Sequence, residues 1–174
     1  MKMQFTYNIF LIGFMGSGKS TVADCLCEKF GMDVVEMDQV IAERERMSIS
    51  DIFEKHGELY FRDLETKLLV ELQEKTNTVV SCGGGVAMRE CNVTEMKKNG
   101  KVVLLTAKPE TILERVENNH DRPLLENNKT VAYIAELMEK RREKYEAAAD
   151  MIIETDGKSA QKICEEMIQR LGEQ

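Results

Sequence analysis

Apolar residues fall into five short runs, at residues 5–12, 33–37, 78–82, 102–106 and 151–155, and most of the segments between them carry apolar positions at helical spacing. Short continuous runs separated by helix-period stretches predict strands alternating with helices. A run such as Val102-Val103-Leu104-Leu105 has no polar face, which suits a parallel sheet covered on both sides. The expected fold is therefore α/β, a three-layer α/β/α sandwich around a five-stranded parallel sheet.

Local signals mark individual helices. From Thr21 to Phe30, Val22, Leu26 and Phe30 share one face and Gly31 is a stop signal. Between Glu58 and Gln73, Phe61, Leu64, Leu68 and Leu72 form a core-facing stripe, with Arg62, Asp63 and Glu65 expected off it. Pro109 stands where a helix would begin, ahead of Ile112, Leu113 and Val116, and Ser159 suits the N-cap of a last helix through Ile163, Met167 and Leu171. Residues 117–129 break the pattern: they are polar, asparagine-rich and non-periodic. A loop of that length in a compact domain is usually functional or disordered. We expect a mobile lid there, with Arg122-Pro123 inside it; an ordinary exposed loop is the alternative. Length, the scarcity of proline and the lack of a linker or repeat suit a single domain over residues 1–174.

The first apolar run opens directly onto Gly13-Phe14-Met15-Gly16-Ser17-Gly18-Lys19-Ser20, a complete G-x-x-x-x-G-K-[ST] phosphate loop. A strand that ends in glycines and leads into a helix aims backbone N–H groups at one point, where the helix dipole also favours negative charge. Gly16, Ser17, Gly18, Lys19, Ser20 and Thr21 are therefore the expected nucleotide-binding set. The glycines allow close backbone approach, Lys19 reaches the β- and γ-phosphates, and the Ser20 hydroxyl ligates Mg²⁺.

Composition sharpens this picture. The net charge of −7 argues against a general nucleic-acid surface, so the positive charge an anionic ligand needs must be concentrated at the site. The longest apolar stretch falls short of the roughly 20 residues a membrane span requires, and the N-terminal residues lack a signal-peptide pattern; a soluble cytoplasmic protein is expected. Five cysteines, Cys25, Cys27, Cys82, Cys91 and Cys164, are an odd number without C-x-x-C spacing, which speaks against a disulfide framework and a zinc site. All five are expected to serve as small apolar fillers.

A phosphate loop names a nucleotide but not an acceptor, which should lie at the carboxyl ends of the strands. Glu36-Met37-Asp38 ends the second strand, where alternation would point Glu36 and Asp38 to the same side; Asp38 also suits a helix N-cap. Gly83-Gly84-Gly85 follows the third strand and reads either as bare backbone for a ligand to approach or as a flexible turn. Arg62 lies in the helix between these two strands.

Taken in order, the phosphate loop, the carboxylates at 36 and 38, Met47-Ser48-Ile49 before Ile52-Phe53, Phe61-Arg62-x-x-Glu65, Gly83-Gly84-Gly85, Arg122-Pro123-Leu124-Leu125 and Arg141-x-x-x-Tyr145 resemble the shikimate kinase family from about residue 8 to the C-terminus. The resemblance implies a P-loop kinase core that uses ATP and Mg²⁺ to phosphorylate the shikimate 3-hydroxyl, giving shikimate 3-phosphate and ADP in chorismate and aromatic amino-acid biosynthesis. It implies that Asp38, in an acceptor segment of about 38–65, binds the shikimate hydroxyls and serves as base, and that Arg62, Arg141 and the Gly83–Gly85 backbone, Gly84 above all, grip the carboxylate. Glu65 would hold Arg62, Arg115 would lie against adenine, Arg122 would close over the phosphates with the lid, and Lys19, Asp38 and Arg122 would be the catalytic set. Glu36 would stand near the metal held by Ser20. Partners would be small molecules, with no nucleic acid or membrane, and the chain would be a monomer.

Two departures stand out: Glu36 replaces the usual aspartate, and Glu143 stands where proline is frequent. The four-residue spacing to Tyr145 selects Arg141 over the adjacent Arg142. Competing readings are another small-molecule P-loop kinase, acting on gluconate or a nucleoside monophosphate, and a nucleotide switch without an acceptor. The D-x-x-G and N-K-x-D patterns that a regulatory GTPase carries do not occur.

Overall fold

The structure is a computed structural model that describes residues 4–117 and 130–172. The lid expectation and Arg122 therefore fall outside the described residues, apart from Glu117. Five strands, β1 (Asn8–Ile12), β2 (Asp33–Glu36), β3 (Thr78–Ser81), β4 (Gly100–Thr106) and β5 (Met151–Glu154), form one parallel sheet in the order β2-β3-β1-β4-β5. The helices are α1 (Lys19–Phe30), α2 (Met37–Glu45), α3 (Ile49–His56), α4 (Glu58–Glu71), α5 (Glu90–Lys98), α6 (Pro109–Val116), α7 (Val131–Ala148) and α8 (Ala160–Gly172).

Alternation along the buried strands builds the two interfaces of the sandwich. Phe10, Ile12, Val80, Val102 and Leu104 face one layer, where Ile41, Ile52, Phe61, Met96, Ile112 and Ile134 meet them from α2 to α7. Ile9, Leu11, Val79, Val103 and Leu105 face the other, against Val22 and Leu26 of α1 and Ile163 and Met167 of α8. The three-layer expectation holds. Burying a side chain such as Leu26 is worth about 1.5–3 kcal/mol, and these clusters are what fix the sheet.

The helix signals act where the residues placed them. Ser159 Oγ accepts from Lys162 N (3.1 Å), and Pro109 opens α6. That helix is further capped from the β5–α8 connection, where Asp156 accepts from Lys108 N (3.1 Å) and Thr111 Oγ1 (2.6 Å).

Some expectations change. The buried face of α4 carries Phe61, Glu65, Leu68 and Leu69, and Leu64 is only half-buried. Glu65 thus lies on the core face although its polarity suggested otherwise. The cysteines differ too: Cys82 and Cys164 are buried, Cys25 is partly so, and Cys27 and Cys91 are exposed. The last two sit on outward faces of α1 and α5 and fill no core. Among the described residues no helix is long and apolar enough to cross a membrane.

The topology decides where the site lies. β1 sits between β3 and β4, so the connections after β1 and β3 leave the sheet side by side, with Cys82 N donating to Leu11 O (3.0 Å). The order reverses at β1, where open α/β sheets bind ligands.

Candidate active site

The phosphate loop joins β1 to α1 over residues 13–18. Gly13 has φ +147°, and a Cβ there would stand 2.5 Å from Leu105 O; Gly18 at φ +99° turns the chain into the helix. Side chains tolerate neither the first contact nor the second conformation. The first intrahelical bond runs from Val22 N to Gly18 O (3.0 Å), so the N-terminal turn of α1 aims its positive dipole end at the loop. Lys19 Nζ donates to Gly13 O (2.6 Å) and Phe14 O (3.2 Å), so its ammonium curls over the loop. Ser20 Oγ donates to Glu36 Oε2 (3.1 Å). Ser17 is buried behind the loop, and its Oγ has no hydrogen-bond partner among the described residues.

A cleft of about 730 Å³ opens above this loop, walled by Gly16, Gly18, Lys19, Ser20 and Thr21, by Glu36 and Asp38, by Gly83 and Gly84, and by Arg115. Arg115 Nη1 donates to Gly16 O (2.9 Å) and Thr155 Oγ1 (3.3 Å), which ties the end of α6 to the loop. Strand alternation does not explain Asp38: β2 ends at Glu36, and Asp38 stands in the first turn of α2. It is not the N-cap, which is Glu36. Both carboxylates nevertheless reach the cleft, and burial raises the Glu36 carboxyl, partly offset by Ser20 and Ser81 and reinforced by the charges of Asp24 and Asp38.

The glycine turn is the meeting point of the charged groups. A Cβ on Gly83 would lie 2.8 Å from Glu65 Oε2 and 2.9 Å from Asp38 Oδ1; on Gly84, 2.9 Å from Arg141 Nη1; on Gly85, 2.5 Å from Arg62 Cζ. Gly83 gives its missing side chain's space to two carboxylates, and Gly84 and Gly85 each to one arginine. Arg62 Nη1 pairs with Glu65 Oε1 (2.8 Å), Nε with Glu58 Oε2 (3.4 Å), and the guanidinium packs on the Phe61 and Phe53 rings at 5.4 and 5.9 Å. Burial pushes the fully buried Glu65 carboxyl up, to about 7, against the pull of Arg62, and Asp38 adds to the rise. For Arg62 burial acts downward, but Glu65 outweighs it and the guanidinium stays firmly charged.

On α7, Arg141 lies over the Phe14 ring (5.8 Å) and donates to Tyr145 Oη (3.5 Å), which donates to Gly84 O (2.5 Å). Arg142 faces away, exposed and paired with Glu139 and Glu146. The structure thus gathers Lys19, Ser20, Asp38, Gly83, Gly84 and Arg115 in the wall of one cleft, and packs Arg62 and Arg141 against the adjoining glycine turn, at Gly85 and Gly84. Sequence reasoning used Tyr145 only as a spacing marker and missed its bond to Gly84; its place four residues after Arg141, on the same helix face, was the available signal. Phe14, Phe53 and Phe61, the ring shelves under the two arginines, gave no sign of that role.

Comparison with known proteins agrees with this geometry. The family model described as shikimate kinase matches residues 15–172. A shikimate kinase from Persephonella marina is 46% identical over 164 residues, covering 94% of this chain and 98% of the relative. The structure of a shikimate kinase from Acinetobacter baumannii in complex with shikimate is 33% identical, with a TM-score of 0.91 over 96% of this chain and 93% of that one. One from Aquifex aeolicus is 38% identical, with a TM-score of 0.82 over 95% of this chain and 96% of that one. Matched in sequence over nearly its whole length and in fold over the same span, the chain belongs to the shikimate kinase family.

Proposed function

We propose that the protein transfers the γ-phosphoryl group of ATP to the 3-hydroxyl of shikimate, giving shikimate 3-phosphate and ADP, the step of aromatic amino-acid biosynthesis that its family membership implies. The observation that carries this reading is the pairing of a phosphate loop with a turn of three glycines onto which Arg62, Arg141, Glu65 and Asp38 all back. Shikimate offers one carboxylate and three hydroxyls; two planar guanidinium groups and one hydroxyl-accepting carboxylate match them.

The roles divide along the cleft. Lys19 exchanges the Gly13 and Phe14 carbonyls for phosphate oxygens, and the backbone N–H groups at the start of α1 bind the same anion. Arg115, tied to Gly16 O, lies against adenine. Asp38 orients the acceptor hydroxyl and takes its proton late in a loose transition state. Arg62 and Arg141 hold the carboxylate beside Gly84, Glu65 anchors Arg62, and Tyr145 fixes the Gly84 carbonyl. Arg122, outside the described residues, is assigned by resemblance as the arginine over the phosphates. Phosphoryl transfer asks mainly for such positioning and charge neutralisation, and exclusion of water protects it from hydrolysis.

The donors suit Mg²⁺. Among the described residues no group of three or more His, Cys, Asp or Glu could hold a metal alone. Mg²⁺ in kinases instead takes one or two protein oxygens, phosphates and waters, and Ser20 Oγ with Glu36 nearby provides such hard oxygens. Bound there, the ion would neutralise phosphate charge. The same reading has residues 1–174 act as a single domain and a cytoplasmic monomer on small molecules, without nucleic-acid or membrane partners; the net charge of −7 supports the exclusion of nucleic acid.

A coupled ADP-release assay with shikimate, quinate, gluconate and nucleoside monophosphates tests the proposal. Turnover with shikimate alone is the expected result; preference for gluconate or a monophosphate would replace it with another small-molecule kinase.

A further inference from the structure

A polar chain that starts at a buried asparagine and ends at the surface runs behind the glycine turn without lining the cleft. Asn92 of α5 is fully buried; its Nδ2 donates to Val86 O (2.9 Å) and its Oδ1 accepts from Thr66 Oγ1 (2.7 Å). Val86 O can only accept, so the amide nitrogen must face it and the orientation of Asn92 follows. Oδ1 then meets Thr66, whose single proton goes to the nearer acceptor and whose oxygen takes a bond from Arg89 Nη1 (3.2 Å). Arg89 Nη1 also pairs with Asp63 Oδ1 (2.9 Å).

Two points on this chain stand one step from the acceptor pocket. Thr66 Oγ1 lies 3.2 Å from the backbone oxygen of Arg62, one turn earlier on α4. Val86 belongs to the 3₁₀ turn Val86–Met88 that follows the glycines, with Val86 N donating to Gly83 O (3.1 Å) and Met88 N to Gly85 O (3.1 Å). The helix that carries Arg62 and the turn that receives its guanidinium are therefore joined by one side-chain amide. An apolar residue at position 92 would leave the Val86 carbonyl without its side-chain donor and take from the Thr66 hydroxyl its nearest acceptor, a cost that falls on the buried carbonyl.

Resting on the assignment of Arg62 to the acceptor carboxylate, we infer that Asn92 and Thr66 are positioning residues for acceptor recognition: they hold α4 in register with Gly83–Gly85. The clearance makes register matter. The Gly85 position leaves only 2.5 Å between a would-be Cβ and Arg62 Cζ, so a small slide of α4 moves the guanidinium directly against or away from the turn.

The test uses Thr66→Val, which keeps the shape and removes the hydroxyl, with Thr66→Ser as the conservative rescue and Asn92→Asp as a second break in the chain. Equilibrium affinities for shikimate, for its methyl ester and for ATP are measured on each. Thr66→Val is expected to weaken shikimate by about 10- to 100-fold, the scale of an ångström-level misplacement. ATP affinity should stay near wild type. The preference for shikimate over its ester should fall by the same factor, because the ester gives Arg62 no charge to grip; Thr66→Ser should restore it. A merely structural role would weaken acid, ester and ATP alike. An unchanged acid-to-ester ratio in folded Thr66→Val overturns the inference, and if Asn92→Asp does not fold, the threonine pair decides alone. Arg62→Lys, measured alongside, separates the two failures: if it too leaves the ratio unchanged, the carboxylate assignment itself is wrong.

Discussion

Gly85→Ala isolates the contribution of one methyl group to acceptor binding. Gly85 has φ −97° and ψ 0°, a conformation open to alanine, so no backbone strain accompanies the change. The added Cβ would stand 2.5 Å from Arg62 Cζ and Nη1 and 2.6 Å from Nη2, whereas ordinary contact begins at 3.4 Å. The guanidinium must retreat by about 1 Å. Phe53, Phe61 and the bonds to Glu65 and Glu58 limit where it can go. Misplacement of that size costs about 10²-fold in kcat/KM, or about 2.7 kcal/mol at 1.36 kcal/mol per factor of ten. The loss should fall on the shikimate KM, because the phosphate loop is untouched. Steady-state kinetics with each substrate varied in turn, on a variant whose thermal unfolding shows it folded, give the answer. A shikimate KM equal to wild type would refute the claim that Arg62 grips the acceptor across Gly85.

Further substitutions probe the other groups. Arg141→Lys should lose about 2–5 kcal/mol of acceptor binding, roughly thirty- to several-thousand-fold in kcat/KM, because a point charge does not replace a desolvated planar fork. Arg142→Lys, out on its exposed ion pairs, should be nearly silent; the reverse result in the same assay would exchange the two assignments. Asp38→Asn should leave ATP binding intact and slow single-turnover transfer at saturating shikimate by at least about 10²-fold, the lower end for a general base; full speed at saturation would reduce Asp38 to a binding role. Glu65 carries a pH signature. Its folded value of about 7 lies above the ordinary 4.5, so the folded state holds its proton more tightly. The stability this contributes is complete below about pH 4.5 and is lost as pH rises through about 7, a difference of order 3 kcal/mol. Urea unfolding of the wild type against Glu65→Gln should show the wild type losing ground between pH 5 and pH 7.5, and a constant difference would contradict the burial argument.

The sheet was legible because strands of a parallel sheet are buried on both faces and read as continuous apolar runs, as Val102 to Leu105 do. The phosphate loop was legible because its chemistry is local: eight consecutive residues carry both the turn and the lysine. What escaped was set by tertiary contact. Polarity assigns a glutamate to the outer face, yet Glu65, four residues after Phe61 and three before Leu68, points into the core, where its partner Arg62 and the glycine turn lie. Two-residue alternation put Asp38 beside Glu36 on a strand, but the chain turns into α2 at Met37, and a helical turn brings the carboxylate to the cleft instead. The three glycines read as bare backbone for a ligand; that they make room for particular charged side chains depends on helices far away in sequence. Cys27 and Cys91, taken as core fillers by residue type, lie outside because helix rotation decides burial.

The central claim is that this cleft joins a nucleotide phosphate to the hydroxyl of a carboxylate-bearing acceptor. ³¹P NMR of one reaction containing the protein, MgATP and an equimolar mixture of shikimate, quinate, gluconate and AMP tests it directly. A single new phosphomonoester, shikimate 3-phosphate, appearing in step with ADP is the predicted spectrum. Phosphate on gluconate or AMP, or ADP accompanied only by inorganic phosphate, would contradict it.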